Sequence, residues 1–230
     1  MKACETGDMV DPHAPTVAAF DLDGTLTEGG SVFPWLRHLC GSSALFRAAS
    51  GLAVPLLVGA VRSGASTDAA KERLFRALLA GRDLEDVREF SRHFALEHLA
   101  QKARPHTLAR LNWHLEKGHD VVVVSASPQL YVDVVAQSLG VVGAVGTRLA
   151  VDPLGKLTGG YLGKNCRGSE KMRRLSEWIE ERHYTSEPEI YAYGNSRGDK
   201  RMLSGATFPF NAGRLSLLGA LRKYPRLPRE

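Results

Sequence analysis

Two aspartates one residue apart, Asp21 and Asp23, directly follow the apolar run 17–20, where a buried strand is expected to open into a loop. Side chains at positions i and i+2 of an extended backbone point the same way, so two such carboxylates repel each other unless a cation or a shared proton intervenes. A hard divalent cation is the natural partner, because Mg²⁺ typically takes one or two carboxylates and leaves room for water and a substrate phosphate. The pair therefore predicts metal-assisted phosphoryl transfer.

The loop after the aspartates has the composition of a phosphate cradle. Gly24 permits a close turn of the backbone, and the hydroxyl of Thr25 with nearby amides can hold phosphate oxygens. A solvated acidic turn is the alternative, because an isolated pair of aspartates at this spacing is a weak motif.

Two later segments repeat the pattern of a buried strand that ends in polar residues. Residues 120–127 contain four consecutive valines, typical of a strand buried on both faces, and then reach Ser125. Residues 190–193 lead into a loop with Asn195 and Asp199. Ligands of open parallel α/β sheets bind outside the carboxyl ends of the strands, so we expect the three loops to converge.

Lys171 precedes the amphipathic stretch 172–181 and is expected near a helix start. A cation gains nothing from a helix N-terminus. A bound anion explains its position better.

With these four segments in order, the chain resembles the haloacid dehalogenase (HAD) superfamily of phosphohydrolases over nearly its whole length. The motifs that carry the resemblance are DLDGTLT (21–27), the serine of VVSAS (123–127), Lys171, and GNSRGDKRML (194–203). The wording of the fourth motif and the long insert after the first are similar to the subclass that contains phosphoserine phosphatase and its lipid-phosphatase relatives. The resemblance implies an α/β fold: a Rossmann-like parallel-sheet core with a helical C1-type cap inserted after the first motif.

The resemblance also implies roles for individual residues. Asp21 corresponds to the nucleophile that forms an aspartyl-phosphate, and Asp23 to the general acid and base. Lys171 corresponds to the cation that neutralises charge on the transferring phosphoryl group. The implied phosphate-binding residues are Gly24, Thr25, Ser125, Ala126 and Lys171.

The implied cofactor is Mg²⁺, with Asp21, Asp23, Asn195 and Asp199 as its ligands. Many relatives carry a carboxylate at the position of Asn195. An amide oxygen can still bind Mg²⁺ or hold one of its waters, although the loss of a negative charge should weaken metal binding. In the alternative interpretation, Asn195 only supports the loop backbone through an Asx-type turn.

The length of 230 residues suits one catalytic core with an insert. We expect a core of residues 16–30 and 105–230, a helical cap of residues 31–104, and a mobile extension of residues 1–15. A hairpin is predicted over 145–160 around a turn at Asp152–Gly155.

The amino-acid composition limits the cellular compartment, the partners and the metal sites that we expect. Three cysteines, with no cleavable signal-peptide pattern, favour a reduced cytoplasmic compartment, and Cys166 is interpreted as a small loop residue. The net charge is +5, but the basic residues are scattered without an aromatic-interleaved surface, which argues against nucleic acid as a partner. The absence of CxxC and HExxH patterns argues against a structural zinc site.

The predicted cap contains a strongly apolar stretch, residues 44–61, interrupted by Arg47, Gly51 and Pro55. These residues disfavour a spanning helix, so the stretch either packs within the protein or lies against a bilayer surface, at the inner face of the membrane. The basic, leucine-containing tail 214–226 has the same two interpretations. The sequence gives no oligomeric state.

Substrate choice rests on what this chain lacks. Phosphoserine phosphatases carry a glutamate shortly after the first motif and a cap arginine that together hold the amino-acid head group. Here Glu28 stands too near the motif, and Arg76 is one residue out of register, which leaves Phe75 at that position. With the segment CRGSEK (166–171), which resembles a bacterial subgroup that includes phosphatidylglycerophosphate phosphatase, this favours a lipid or other amphiphilic phosphomonoester.

Two further hypotheses about the function stay open. One is a phosphoserine phosphatase or another small-metabolite phosphatase. The other is a degenerate protein that binds phosphorylated ligands as a regulator, without turnover.

Overall fold

The computed structural model describes residues 15–50, 64–213 and 221–227. Its strands are β1 (Thr16–Phe20), β2 (Asp120–Pro128), β3 (Gly143–Thr147), β4 (Leu149–Val151), β5 (Leu157–Tyr161), β6 (Glu189–Gly194) and β7 (Phe208–Asn211). Five of them form one sheet in the order β3-β2-β1-β6-β7, and every neighbouring pair is parallel. The predicted parallel α/β core is therefore confirmed, with β1 and its two aspartates at the centre.

Helices lie on both faces of this sheet. In chain order the described α-helices are α1 (Val32–Cys40), α2 (Ser42–Ser50), α3 (Gly64–Leu79), α4 (Leu84–Lys102), α5 (Pro105–Glu116), α6 (Gln129–Ser138), α7 (Ser169–Glu180) and α8 (Lys200–Ser204). Alternate residues of β1 pack into two separate apolar clusters, Ala18 and Phe20 into one, Val17 and Ala19 into the other. Strand side chains alternate between faces, so a strand buried on both sides has no polar position until it ends.

The helices α1 to α4, with the chain between them, form the helical insert, which leaves the core after β1 and returns before α5. A backbone bridge between Thr27 and Ala103 joins the outgoing and returning chains. Inside the insert, Trp35 and Phe75 are fully buried and meet edge to face, with ring centroids 5.9 Å apart. Asp83 caps α4 by accepting hydrogen bonds from the backbone of Glu85 and Asp86. The division at residues 31 and 104 into cap and core stays a prediction.

The predicted hairpin is correct only in its second part. β4 and β5 pair antiparallel, and the turn closes with a hydrogen bond from the Gly155 amide to the Asp152 carbonyl. The prediction was wrong before Leu149, because residues 143–147 form β3 and extend the parallel sheet beside β2. Gly143 permits this position, since a Cβ there would lie 2.6 Å from the ring of Trp178.

Several predictions concern residues outside the described ranges. They are residues 1–14 of the predicted extension, residues 51–61 of the apolar stretch, and residues 214–220 of the basic tail. The beginning of the apolar stretch belongs to α2. Among the helices that the structure does describe, none is both long and apolar enough to cross a bilayer.

Candidate active site

Lys171 joins the first and fourth motifs at the carboxyl end of the sheet. Its Nζ lies 2.7 Å from Asp21 Oδ1 and 2.5 Å from Asp199 Oδ1, and both contacts are ion pairs. The lysine side chain is only 2 % exposed, and that of Asp199 only 1 %. The sequence analysis expected a bound anion to explain this lysine, and the structure shows that two carboxylates of the chain itself surround it.

The charges in this group are not balanced, since two carboxylates share one ammonium. Burial and the nearby charge of Asp199 raise the pKa of the Asp21 carboxyl to about 7, against the attraction of Lys171. Burial alone would lower the pKa of Lys171, but the carboxylates of Asp199 and Asp21 raise it, so the ammonium stays charged. A buried ion pair of this kind is costly to desolvate and is weak evidence for a stabilising role.

The turn after Asp21 is stabilised by hydrogen bonds within the turn and by hydrogen bonds from a distant residue of the chain. Thr25 Oγ1 donates a 3.0 Å hydrogen bond to Asp21 Oδ2, and Gly24 adopts a φ of +84°, which favours glycine. On the outside, the buried Arg104 donates to the backbone carbonyls of Gly24 and Thr25. The sequence analysis missed Arg104, which stands at the N-terminus of α5, far along the chain from the motif it supports.

Asp23 lies beside a chain of hydroxyl groups. Its carboxylate accepts hydrogen bonds from the backbone amide of Ser31, at 2.9 Å, and from Ser127 Oγ, at 2.7 Å. The Ser31 hydroxyl is 3.1 Å from that of Ser127 and 2.8 Å from that of Tyr131. Sequence reasoning missed these three residues, although Ser127 belongs to the second motif. The arrangement fixes the Asp23 carboxylate beside groups that can pass a proton.

The C-terminal end of β2, where its pairing with β3 shifts register and which we call the phosphate-binding turn, contains the predicted phosphate-binding residues Ser125 and Ala126. Ser125 is buried, and its Oγ accepts a 3.1 Å hydrogen bond from the Ser127 amide. The Ala126 carbonyl accepts hydrogen bonds from Lys71 Nζ, at 2.6 Å, and from Thr147 Oγ1, at 2.7 Å. Lys71 belongs to the helical insert, and the sequence analysis did not single it out.

In the fourth motif the loop is organised by Asp199 rather than by Asn195. Asp199 Oδ2 accepts hydrogen bonds from the amides of Asn195 and Ser196 and from the Ser196 hydroxyl, at 3.2, 2.9 and 2.8 Å. Asn195 Oδ1 is buried and has no hydrogen-bond partner among the described residues. The alternative of an Asx-type turn at Asn195 was therefore wrong, because that turn requires this oxygen to accept a backbone hydrogen bond.

The donor set fits a hard cation. Asp21 and Asp199 carry one more negative charge than Lys171 balances, and the buried amide oxygen of Asn195 lacks a partner in the described structure. Carboxylate and amide oxygens are ligands that Mg²⁺ accepts, and it completes its shell with water and substrate. Within the described residues no three His, Cys, Asp or Glu side chains are grouped so that they could hold a metal ion by themselves.

Comparison with known proteins identifies the family of this site. A family model described as haloacid dehalogenase-like hydrolase matches residues 18–204. The chain belongs to this family. A HAD hydrolase is what the four sequence motifs predicted, and the match runs from within β1 to the end of α8.

Two curated relatives of this HAD hydrolase cover most of its length. Protein CicA of Caulobacter vibrioides is 34% identical over 204 residues, which is 86% of each chain. The histidinol-phosphatase of Neisseria meningitidis serogroup C is 26% identical over 189 residues, 81% of this chain and 85% of the relative. The predicted enzyme class, a phosphatase of the HAD family, is confirmed.

Solved structures show the same fold. A Bordetella pertussis protein of unknown function superposes with a TM-score of 0.73 and 21% identity, covering 94% of this chain and 99% of its own. A phosphoserine phosphatase, solved as a phospho-aspartyl intermediate analogue, superposes with a TM-score of 0.59 and 19% identity over 86% of both chains. At these identities the similarity establishes the architecture, and the roles of individual residues remain proposals.

Proposed function

We propose that this protein is a Mg²⁺-dependent phosphomonoester hydrolase that works through an aspartyl-phosphate on Asp21. The observation that carries the proposal is the placement of Lys171, within 2.7 Å of Asp21 and 2.5 Å of Asp199 in a buried site. A lysine fixed there can neutralise the oxygens of a phosphoryl group that approaches Asp21.

In the first step a carboxylate oxygen of Asp21 attacks phosphorus while the bond from phosphorus to the ester oxygen breaks. Asp23 gives its proton to the departing oxygen, so an alcohol leaves. The Ser127 and Ser31 contacts hold the Asp23 carboxylate in place for this transfer. Fixed geometry matters because well-oriented reacting groups lower the barrier by removing the entropy of encounter.

In the second step Asp23 takes a proton from a water molecule, whose oxygen attacks phosphorus and breaks its bond to Asp21. Inorganic phosphate leaves, and both aspartates return to their starting states. The amides of Thr25, Leu26 and Thr27 already donate to the carbonyl of Leu22, so the Thr25 hydroxyl and Ser125 with Ala126 are proposed to hold the phosphate oxygens through both steps. Thr25 already bonds Asp21 Oδ2, at 3.0 Å.

We assign the metal to Asp21, the backbone carbonyl of Asp23, Asp199 and Asn195. When bound, Mg²⁺ would neutralise phosphate charge and orient the ester. The chain itself contributes the two buried carboxylates and the amide oxygen of Asn195, which has no hydrogen-bond partner among the described residues. Asp23 stands apart from the other three, because its carboxylate is engaged by Ser31 and Ser127.

For the leaving group we propose a lipid or other amphiphilic alcohol. The two residues nearest to the head-group positions of phosphoserine phosphatases both lie at the surface, since Glu28 is exposed and Arg76 pairs with Glu72. Phe75 is fully buried instead. The helical insert also exposes large apolar side chains, Phe33 at 50% and Phe46 at 74%. Phe46 belongs to the apolar stretch 44–61, and exposed apolar side chains of this kind suit contact with a membrane surface.

A lipid substrate also implies a location for the protein at a membrane surface. We propose a cytoplasmic protein, peripheral to the inner face of the membrane, with the insert toward the lipid. Its charge of +5 would favour an anionic surface.

A small phosphomonoester is the second candidate. The hydroxyl groups of Ser31, Ser127 and Tyr131 make the surroundings of Asp23 polar, which is compatible with a leaving alcohol that carries further hydroxyl or amino groups. The relative named histidinol-phosphatase supports the same candidate.

The test is Mg²⁺-dependent phosphate release from a substrate panel. It should include phosphoserine, histidinol phosphate and sugar phosphates, and phosphatidylglycerophosphate and lysophosphatidate in mixed micelles. Preference for the lipids supports the amphiphilic proposal, and preference for a small ester replaces it with the second candidate. No release from any substrate or from a generic aryl phosphate would instead favour a phospho-ligand-binding regulator.

A further inference from the structure

The described contacts between the helical insert and the second and third motifs include a cluster that we call the latch: Asp68, Lys71, Asn165 and Arg167. Asp68 and Lys71 stand one turn apart on α3, and the other two precede the start of α7. Lys71 Nζ donates to the Ala126 carbonyl, at 2.6 Å, and to Asn165 Oδ1, at 3.1 Å. Asn165 Nδ2 donates to Asp68 Oδ1, at 2.7 Å.

The latch continues into the core on both sides of the site. Thr147 Oγ1 lies 2.7 Å from the Ala126 carbonyl and 2.8 Å from Asn165 Oδ1, the two acceptors of Lys71, and can donate its single proton to either. Arg167 forms a 3.8 Å ion pair with Asp68. Lys71 therefore reaches the phosphate-binding turn and the segment that leads to Lys171 at the same time.

The electrostatics of Lys71 link this contact to the substrate. Both of its hydrogen-bond acceptors are neutral, and burial lowers the pKa of its ammonium to about 8, against the attraction of Asp23 and Asp68. Placing a cation there without a directly bonded anion is unfavourable. A phosphomonoester dianion on the neighbouring turn would offset that cost, so an anionic ligand favours the closed insert.

We propose that Lys71 is a positioning residue, which closes the helical insert on the Ala126 carbonyl and Asn165 and so completes the phosphate-binding turn when an anion is bound. Lys71 acts here through Ala126, whose carbonyl it fixes, and not through the reacting atoms. Closure of a loop or domain over the substrate excludes water and completes catalytic sites in many enzymes. This inference rests on the phosphomonoesterase function, but its key measurement does not require turnover.

The experiment uses Lys71→Met, which keeps the apolar stem, and Lys71→Arg, which restores donors for both acceptors. Arg73→Met is the matched control, since Arg73 is an exposed cation on the same helix. Amide hydrogen exchange with and without inorganic phosphate reports closure on α3 and on residues 126 and 127. We expect phosphate to protect both segments in the full-length wild type and in Arg73→Met, and this protection to be lost in Lys71→Met and recovered in Lys71→Arg.

Kinetics with an aryl phosphate give the second readout. A misplaced turn should lower kcat/KM of Lys71→Met by about 100-fold, mainly through kcat, with thermal unfolding close to that of the control. Asp68→Ala, which leaves Lys71 intact but frees the Asn165 amide, should show a smaller loss in the same direction.

The outcomes separate the two claims. Unchanged phosphate protection in Lys71→Met overturns the inference, as does a loss that Lys71→Arg does not recover. If the wild type shows Lys71-dependent protection by phosphate but no turnover of any ester, the phosphatase proposal fails and the inference stands. If the wild type turns over esters and Lys71→Met matches it in kcat and KM, the phosphatase proposal stands and the inference fails.

Discussion

Gly24 and Asn195 are packed directly against each other, across the loops of the first and fourth motifs. A Cβ at Gly24 would overlap the side-chain nitrogen of Asn195, and the φ of +84° at Gly24 already favours glycine. The asparagine amide is thus wedged against the turn that follows Asp23. Its Oδ1 stays buried without a partner among the described residues. A position that packs this closely and leaves an oxygen unsatisfied is suited to a ligand.

We predict that Asn195→Asp tightens Mg²⁺ binding by about tenfold, the lower end of what changes near a metal produce. The carboxylate adds a charged ligand, but without metal it would repel Asp21 and Asp199, so the variant should unfold at a lower temperature without Mg²⁺. Titration calorimetry and thermal unfolding with and without Mg²⁺ provide the two measurements. Gln101→Glu, at an exposed position of the insert, is the control for an added charge. An unchanged Mg²⁺ affinity would remove Asn195 from the ligand set.

Asp21→Asn should abolish turnover and leave the fold intact. The amide has the shape of the carboxylate but is not a nucleophile, and Lys171 keeps its contact with Asp199. Acid-quenched reactions should contain a phosphorylated wild-type enzyme and no phosphorylated variant. Asp86→Asn, an exposed change on α4, is the control for loss of a carboxylate. Full activity in Asp21→Asn would disprove its assignment as the nucleophile.

The strands that were predicted correctly are each marked by a run of neighbouring apolar residues in the sequence. The valine run of β2 and the apolar residues before Asp21 each mark a buried strand without reference to any other part of the chain. β3 was misassigned because GAVGT has two glycines and no long apolar run, and its place in the sheet depends on β2 and Trp178.

The residues of the candidate site show the same difference between local motifs and contacts that depend on packing. Asp21, Lys171 and Asp199 were found from local motifs, and the structure brings them into contact. Arg104 and Lys71 were missed, because each contacts a segment that is remote in the sequence. Their neighbouring residues also look the same as those around an ordinary exposed arginine or lysine. Only the packing of the insert on the core identifies what they touch.

Arg104→Lys should lower kcat by about 100-fold, with little change in Mg²⁺ affinity. Nη1 of the planar guanidinium donates to the carbonyls of both Gly24 and Thr25, and the shorter, flexible lysine side chain does not place its ammonium at the same point. Steady-state kinetics and Mg²⁺ titration measure the two effects. Arg110→Lys on the same helix, where the side chain lies over Trp113, is the matched control. Wild-type kcat in Arg104→Lys would show that the turn needs no external support.

His114 is expected to contribute to acid unfolding. It is fully buried under the site, with Nε2 2.8 Å from the Tyr193 hydroxyl and Nδ1 2.7 Å from His119 Nδ1. Burial, with the charges of His119 and Arg110, lowers its pKa to about 3. The unfolded chain binds a proton at this residue below about pH 6.5, whereas the folded chain does so only near pH 3. Its contribution to stability is therefore complete above pH 6.5 and is lost as the pH falls from there to 3.

Replacing His114 with glutamine should flatten that dependence. The loss of unfolding free energy from this residue is at most about 1.4 kcal/mol per pH unit below pH 6.5, and the variant should lack it. Lost packing should also make the variant less stable at pH 7, so the two curves should converge toward pH 4. Urea unfolding at pH 7, 6, 5 and 4 measures this, with the exposed His93→Gln as control. Parallel curves for wild type and His114→Gln would mean that His114 is protonated in the folded protein as readily as in the unfolded chain.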